Sequence, residues 1–499
     1  MIRLFVLISL IISFSKVILV AQDDSTLYSN RSITILEASQ LLIVNNNAIK
    51  ISKKAQEIAK AEKAKLNSSW YPFLTAGGEY LHMSNDISAK ESVETLVKPF
   101  KDAVPELNAI INKILPALNQ IFPGTNIGEI ISNSAKEIGA MDLVFPLMKQ
   151  NVASINASIT WPIFTGGKRL YASKIGSQIV NTADNLYGLT TNSQMAMLAE
   201  SYYGAKLTEE SVNVNREYLN AMEMLYNDAL KMNKNGLLDK AGMLVAKVSY
   251  EESKTLYENA INNNQIALNA LSTLINIKDP EDDEMKAHYE LSSNFFKIDS
   301  LPPIDYYKEK IGENNHQLKI IENQIEIVSN EKKIAISGYM PDIALFARQN
   351  LYTYNTPKNL VPRTVIGAGF VWNLFDGTNR ESSIKAASRE KEQLNIQKEA
   401  ALSDLYLLSE KLYTQIKDSW NNINTLETAL EFGKELVRIR ERSFLEGMAT
   451  STDVVYARSL YAKIRLAISA AYFAYDISLA NLYAICGDTE SFMAIANSN

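Results

Sequence analysis

Residues 151–169 read NVASINASITWPIFTGGKR, and the fold turns on how this stretch is read. Ala153, Ile155, Ala157, Ile159, Trp161 and Ile163 fall on one face, and Ser154, Asn156, Ser158 and Thr160 on the other. Period-two alternation is the mark of a strand. Apolar on one side and small or polar on the other, sustained over ten residues, it suits a transmembrane β-strand. A half-buried strand of a soluble sandwich alternates in the same way, but such a sheet would supply more than two hairpins in a chain of 499 residues. The alternation then meets Gly166 and Gly167 and passes into a long tract with no proline before Pro280.

The same frame returns as WNLFDGTNR at residues 372–380. A gap-free diagonal at an offset of 211 residues pairs Trp161 with Trp372, Phe164 with Phe375, Gly166 with Gly377, Arg169 with Arg380, Gly236 with Gly447 and Tyr250 with Tyr461. Upstream the offset becomes 269, pairing Asn46 with Asn315, Pro72 with Pro341 and Leu74 with Ile343. The chain is therefore a duplication, with about 58 extra residues between Pro72 and Trp161 in its first half.

Each half reads as helix, strand, loop, strand, long helix, turn, long helix. Leucines and other apolar residues recur at threes and fours (Leu405, Leu408, Leu412, Ile416, Trp420, Ile423), which is helical spacing. A helix from about Lys168 to Asn235 would be roughly 100 Å long. Gly236 and Gly447 sit at the turns and suit left-handed helix ends. The less regular first strands, near 73–83 and 343–354, place Glu79 and Arg348 on the polar side. Four strands cannot close a barrel, for which about eight are the practical minimum. Three copies would give twelve. Trp161 and Trp372, where strand meets helix, fit an aromatic belt.

Composition bounds the function. The apolar content of 46% supports a core, and a net charge of −6 with pI near 5.5 offers no basic stripe for nucleic acid. The first residues, MIRLFVLISLIISFSKVILVAQDD, suggest a signal peptide over 1–21, an uncleaved anchor being the alternative. After them no apolar run is long enough for a spanning helix. Three scattered histidines (His82, His288, His316), a lone Cys486 and the lack of a phosphate-binding Gly loop or nucleophile elbow argue against catalysis, a metal site or a cofactor.

The residues quoted carry a resemblance to the TolC family of outer-membrane efflux and secretion channels, over nearly the whole mature chain. Its marks are the Asn-to-Pro segments at 46–72 and 315–341, the P-I-F-x-G-G-type junction at 162–167 with a weaker mate at 373–378, and the turns at Gly236 and Gly447. The resemblance implies a homotrimer in the outer membrane of a Gram-negative bacterium. Its fold class would be mixed α/β and mainly α: a twelve-stranded barrel, four strands per chain, continuing into a long α-helical tunnel in the periplasm. It further implies a passive conduit of a tripartite export system. Asn235, Gly236, Leu237, Glu446, Gly447 and Met448 would be the tips docking a periplasmic adaptor (membrane fusion) protein, which links the channel to an inner-membrane transporter. Asp453 would form a pore-entrance ring, its alternative being an exposed helix-start residue. Where some members carry a second acidic residue this chain has Tyr456, and the first-half mate of Asp453 is Gly242, leaving Asp239 and Arg458 as the other charges nearby. The implied junction with outer-membrane lipid comprises Trp161, Pro162, Phe164, Gly166, Gly167, Trp372, Phe375 and Gly377.

The expected organisation is a signal peptide (1–21), a first repeat (22–277), an acidic, Pro-containing linker about the waist (278–314), a second repeat (315–488) and a tail (489–499). An extracellular insertion at about 84–146 either folds over the mouth or is a surface loop. Type I protein secretion is the competing role within transport, and a periplasmic coiled-coil scaffold the competing class.

Overall fold

The structure is a computed structural model that describes residues 32–84, 149–276, 290–355 and 362–498. The signal segment, all of the insertion after Ser84 and the acidic run 281–284 lie outside the described residues. The first repeat comprises β1 (Ser32–Ile33), α1 (Ile35–Asn45), α2 (Asn47–Asn67), β2 (Phe73–His82), β3 (Asn151–Thr165), α3 (Lys168–Lys234) and α4 (Lys240–Ile275). After β4 (Glu290–Leu291) the second repeat runs α5 (Ile304–Asn314), α6 (His316–Ser337), β5 (Asp342–Tyr354), β6 (Thr364–Val371), α7 (Asn379–Leu445) and α8 (Ser451–Ile485), and α9 (Thr489–Ser498) closes the chain. At the 269-residue offset α5 is the mate of α1, so the duplication extends into a segment read as linker. The tail is a helix whose Phe492 and Met493 enter the core.

The four long strands form one antiparallel sheet, ordered β2-β3-β5-β6, in which each repeat contributes a hairpin and the repeats meet at β3–β5, while the two-residue strands β1 and β4 pair separately in parallel. β2 and β6 are left as open edges. The alternation of residues 151–163 survives: Leu74, Ile159 and Ile366 share one face and are 75%, 45% and 79% exposed. A soluble domain would not leave this face to water. The opposite face carries Thr75, Glu79, Asn156, Ser158 and Arg348, with Thr75 and Ser158 hydroxyls 2.7 Å apart. Phe346 is the exception there, its ring lying over Gly367, where an added Cβ would meet it at 2.7 Å.

α3 and α7 are each 67 residues long. No described helix is long and apolar enough to cross a membrane. Three apolar clusters hold the helices together. One lies near the sheet (Leu66, Ile175, Ile179, Ile327, Ile334) and one near the helical turns (Met222, Leu225, Phe444, Val454). The largest is at the waist, where Tyr202, Tyr203, Tyr307, Tyr475 and Phe492 are almost fully buried. Each such ring contributes about 2 kcal/mol by burial, so the waist is the main clamp.

The two asparagines that open the 46–72 and 315–341 segments have matching roles at the waist. Asn46 caps α2 by accepting from the Ile49 N–H and donates to the Leu274 carbonyl at the end of α4. Asn315 caps α6 by accepting from the Leu318 N–H and donates to the Ile485 carbonyl at the end of α8. One side chain starts a helix and ties down the end of another.

Candidate functional site: strand-to-helix junctions and hairpin tips

At the first junction the chain must leave a strand and start a helix within two residues. Gly166 and Gly167 do so at φ of 59° and 94°, a region open to glycine at no steric cost. Gly166 is needed twice over, since a Cβ there would lie 2.5 Å from the Ser337 carbonyl oxygen. The second junction uses Gly377 and Thr378 at φ of 70° and 69°. Thr378, the mate of Gly167, is thus a β-branched residue held in the left-handed region.

Around these turns the structure assembles a duplicated clasp. The Trp161 indole Nε1 donates to the Trp70 carbonyl at 3.1 Å, and the Trp372 indole Nε1 donates to the Tyr339 carbonyl at the same 3.1 Å. Trp70 and Tyr339 are mates at the 269-residue offset, and each ring carries a guanidinium 4.5 Å from its centre, Arg169 on Trp70 and Arg380 on Tyr339. Arg380 also donates to the carbonyls of Gly338, Asn373 and Leu374. Each clasp joins three chain segments at one aromatic residue, the indole bonding its carbonyl and the guanidinium covering its ring. Pairing Arg169 with Arg380 and Trp70 with Tyr339 was the signal in the sequence, but the offsets differ, so no single diagonal contains both. Pro162 is buried at a bulge in β3, where its missing N–H is tolerated. Phe164 and Phe375 are 43% and 76% exposed beside their junctions.

The tips close alike. Gly236 and Gly447 have φ of 72° and 74°, and the N–H groups that follow them, of Leu237 and Met448, donate back to Met232 and Ser443 at 2.8 Å each. This six-to-one bond seals the helix end. Asn235 and Glu446 cap α3 and α7 immediately before the glycines. Leu237 and Met448 are 71% and 73% exposed, an apolar pair with no intrachain cover.

Asp453 is the third residue of α8 and forms a reciprocal capping box: its carboxylate accepts from the Thr450 N–H at 2.9 Å and the Thr450 hydroxyl at 2.7 Å. These bonds hold it below the usual carboxylate range, so it stays ionised. Its first-repeat counterpart is built differently, with Asp239 capping α4 through the Gly242 N–H at 2.8 Å. Arg458 is paired with Glu441 on α7. Tyr456 is exposed.

Two β-hairpins in one sheet, each continued by a long helical hairpin of nearly equal length, define the fold class of the described chain. Residues 309–488 match the family described as outer membrane efflux protein. The second repeat is similar to that family, and the whole chain has the fold of solved outer-membrane channels. No curated protein matches it in sequence. Among solved structures it is similar to the outer membrane protein VceC from Vibrio cholerae, with a TM-score of 0.68 at 13% identity over 91% of this chain and 96% of that one. It is also similar to the Campylobacter jejuni CmeC outer membrane channel, with a TM-score of 0.64 at 14% identity over 93% and 89%. The open-state MtrE outer membrane channel of Neisseria gonorrhoeae gives 0.64 at 14% over 91% and 89%.

Proposed function

We propose that three copies of this chain close head to tail into a passive export conduit, with a twelve-stranded barrel in the membrane and twelve long helices below it. The hairpin tips would dock a periplasmic adaptor, and an inner-membrane transporter would supply the energy. The carrying observation is that three contacts made between the repeats inside the chain have unfilled mates at the chain's outer edges. β3 pairs with β5, whereas their mates β6 and β2 are open. Ser337 and Met340 pack on Gly166, whereas nothing lies within 4 Å of a Cβ on its mate Gly377. α8 packs along α3, whereas their mates α4 and α7 expose Val248, Ile266, Leu407 and Phe432. A heterologous interface of this kind closes into a ring or runs on as a filament, and the barrel requires the ring.

The repeat offsets give the missing register. Ser158 opposite Arg348 translates to Gly369 opposite Glu79 of the next copy. The test is oxidation of the Gly369→Cys/Glu79→Cys protein in membranes, the one native cysteine, Cys486, being buried. The expected result is a covalent ladder that stops at three chains. Absence of cross-links, or a ladder that continues past three, would overturn the ring.

A further inference from the structure

A band of positive charge lies where the helices meet the strands, on a chain whose net charge is −6. Residues 60–72, 165–175, 331–342 and 373–386 contain ten Lys or Arg against five Asp or Glu. All lie within about fourteen residues of a strand along the chain, hence within roughly 20 Å of the sheet. The acidic members are committed to local partners or buried. Asp342 holds Lys168 at 2.9 Å, Asp376 holds Arg380 at 3.1 Å, Glu62 holds Lys65 at 3.3 Å and Glu381 accepts from the Tyr339 hydroxyl. Glu331 lies between α6 and α7 with one carboxylate oxygen buried and unbonded.

The cations left over point to the same level. Lys174 and Lys333 flank the Tyr171 ring at 5.8 and 5.7 Å with their ammonium groups exposed. Lys63 and Lys332 carry no carboxylate within ion-pair distance among the described residues. Immediately above them, toward the sheet, sits an exposed aromatic and aliphatic band: Trp70, Tyr71, Tyr339, Met340, Trp161 and Leu170, between 42% and 70% exposed. It runs without a break into the apolar face of the strands. Apolar strand face, then aromatic band, then unpaired lysines is the order in which a bilayer presents acyl chains, the glycerol region and phosphate. Lysine stems lie along apolar surface while the ammonium reaches outward to the head groups.

We propose that this collar is a binding surface for anionic phospholipid head groups of the periplasm-facing leaflet, engaged chiefly by Lys63, Lys174, Lys332 and Lys333. The inference rests on the membrane-barrel reading and adds a lipid preference to it. The collar holds the channel at a defined depth, and it selects lipids bearing net negative charge over zwitterionic ones.

Three of the four tryptophans, Trp70, Trp161 and Trp372, stand in the band and report on adjoining lipid. The full chain is reconstituted in bilayers of phosphatidylethanolamine containing phosphatidylglycerol, with one or the other lipid brominated on its acyl chains, and tryptophan quenching is measured. The expected result is that brominated phosphatidylglycerol quenches several-fold more strongly per mole, and that the preference shrinks as salt rises. The Lys63→Gln/Lys174→Gln/Lys332→Gln/Lys333→Gln protein should lose the preference, and the corresponding four Lys→Arg changes should keep it. Equal quenching by both lipids in the native protein, or a preference untouched by the four Gln changes, overturns the collar and leaves the barrel standing. No quenching by either lipid overturns both.

Discussion

Thr378 is the residue whose environment fits its chemistry least. Its backbone mate is Gly167, and at φ 69° a β-branched side chain carries a left-handed penalty of about 1–2 kcal/mol. Thr378→Gly should therefore raise the temperature at which the assembled protein dissociates, by a net gain of about 0.5 kcal/mol after the extra freedom of unfolded glycine is counted. Gly166→Ala should do the reverse by about 2 kcal/mol or more, because its Cβ meets the Ser337 carbonyl. Glu331 gives a pH-dependent counterpart. Burial, reinforced by the charge of Glu390, raises its carboxyl to about 7 from an ordinary 4.5. The folded protein thus binds the proton more tightly than the unfolded chain, and this group's contribution is intact below pH 4.5 and lost as pH rises through 7. Glu331→Gln should stabilise at pH 8 by on the order of 2 kcal/mol and be nearly neutral at pH 4.5, read as denaturation midpoints at the two values.

The hairpin tips, at the scale of elements, are rigid ends with an apolar surface. Their six-to-one bonds and capped helix starts leave Leu237 and Met448 exposed without strain. Leu237→Asp/Met448→Asp should leave the assembly intact and abolish export in cells, checked by accumulation of an exported dye against the amount of cross-linked assembly. Asp453 has two tasks to separate. Asp453→Ala removes the capping box and costs about 1 kcal/mol. Asp453→Asn keeps most of the cap and removes the charge. If three carboxylates ring the entrance, both changes weaken block by trivalent cations in single-channel recordings, whereas a purely capping role leaves block unchanged in both. The sequence allowed both readings because Thr450-x-x-Asp453 is itself a helix-start signature, and the structure adds the carboxylate's bonds to Thr450.

Across the whole molecule, in the proposed ring, the two kinds of seam would not be equally strong. Within the chain, Arg465 on α8 reaches both Glu210 and Glu217 on α3. At the repeat offset, the seam between copies would set Lys254 against Asn421 and Thr428, with no carboxylate to meet it. The ring should therefore open first between copies, so that hydrogen exchange is faster along α4 and α7 than along α3 and α8. Arg465→Ala should cut that difference, at a cost of about 1 kcal/mol for a partly exposed ion pair.

The sequence by itself determined the duplication, the period-two strands, two proline-free tracts that became 67-residue helices, and the turns at Gly236 and Gly447. All of these are set by local sterics and periodicity, which need no partner from elsewhere in the chain. Tertiary structure alone decided that Trp161 and Arg169 meet at Trp70, that Trp372 and Arg380 meet at Tyr339, that Asn46 and Asn315 close helices lying far along the chain, and that β2 and β6 are the open edges. Those depend on which segments are brought side by side. Two different repeat offsets run through each clasp, so the contacts became legible only when the strands and helices were packed.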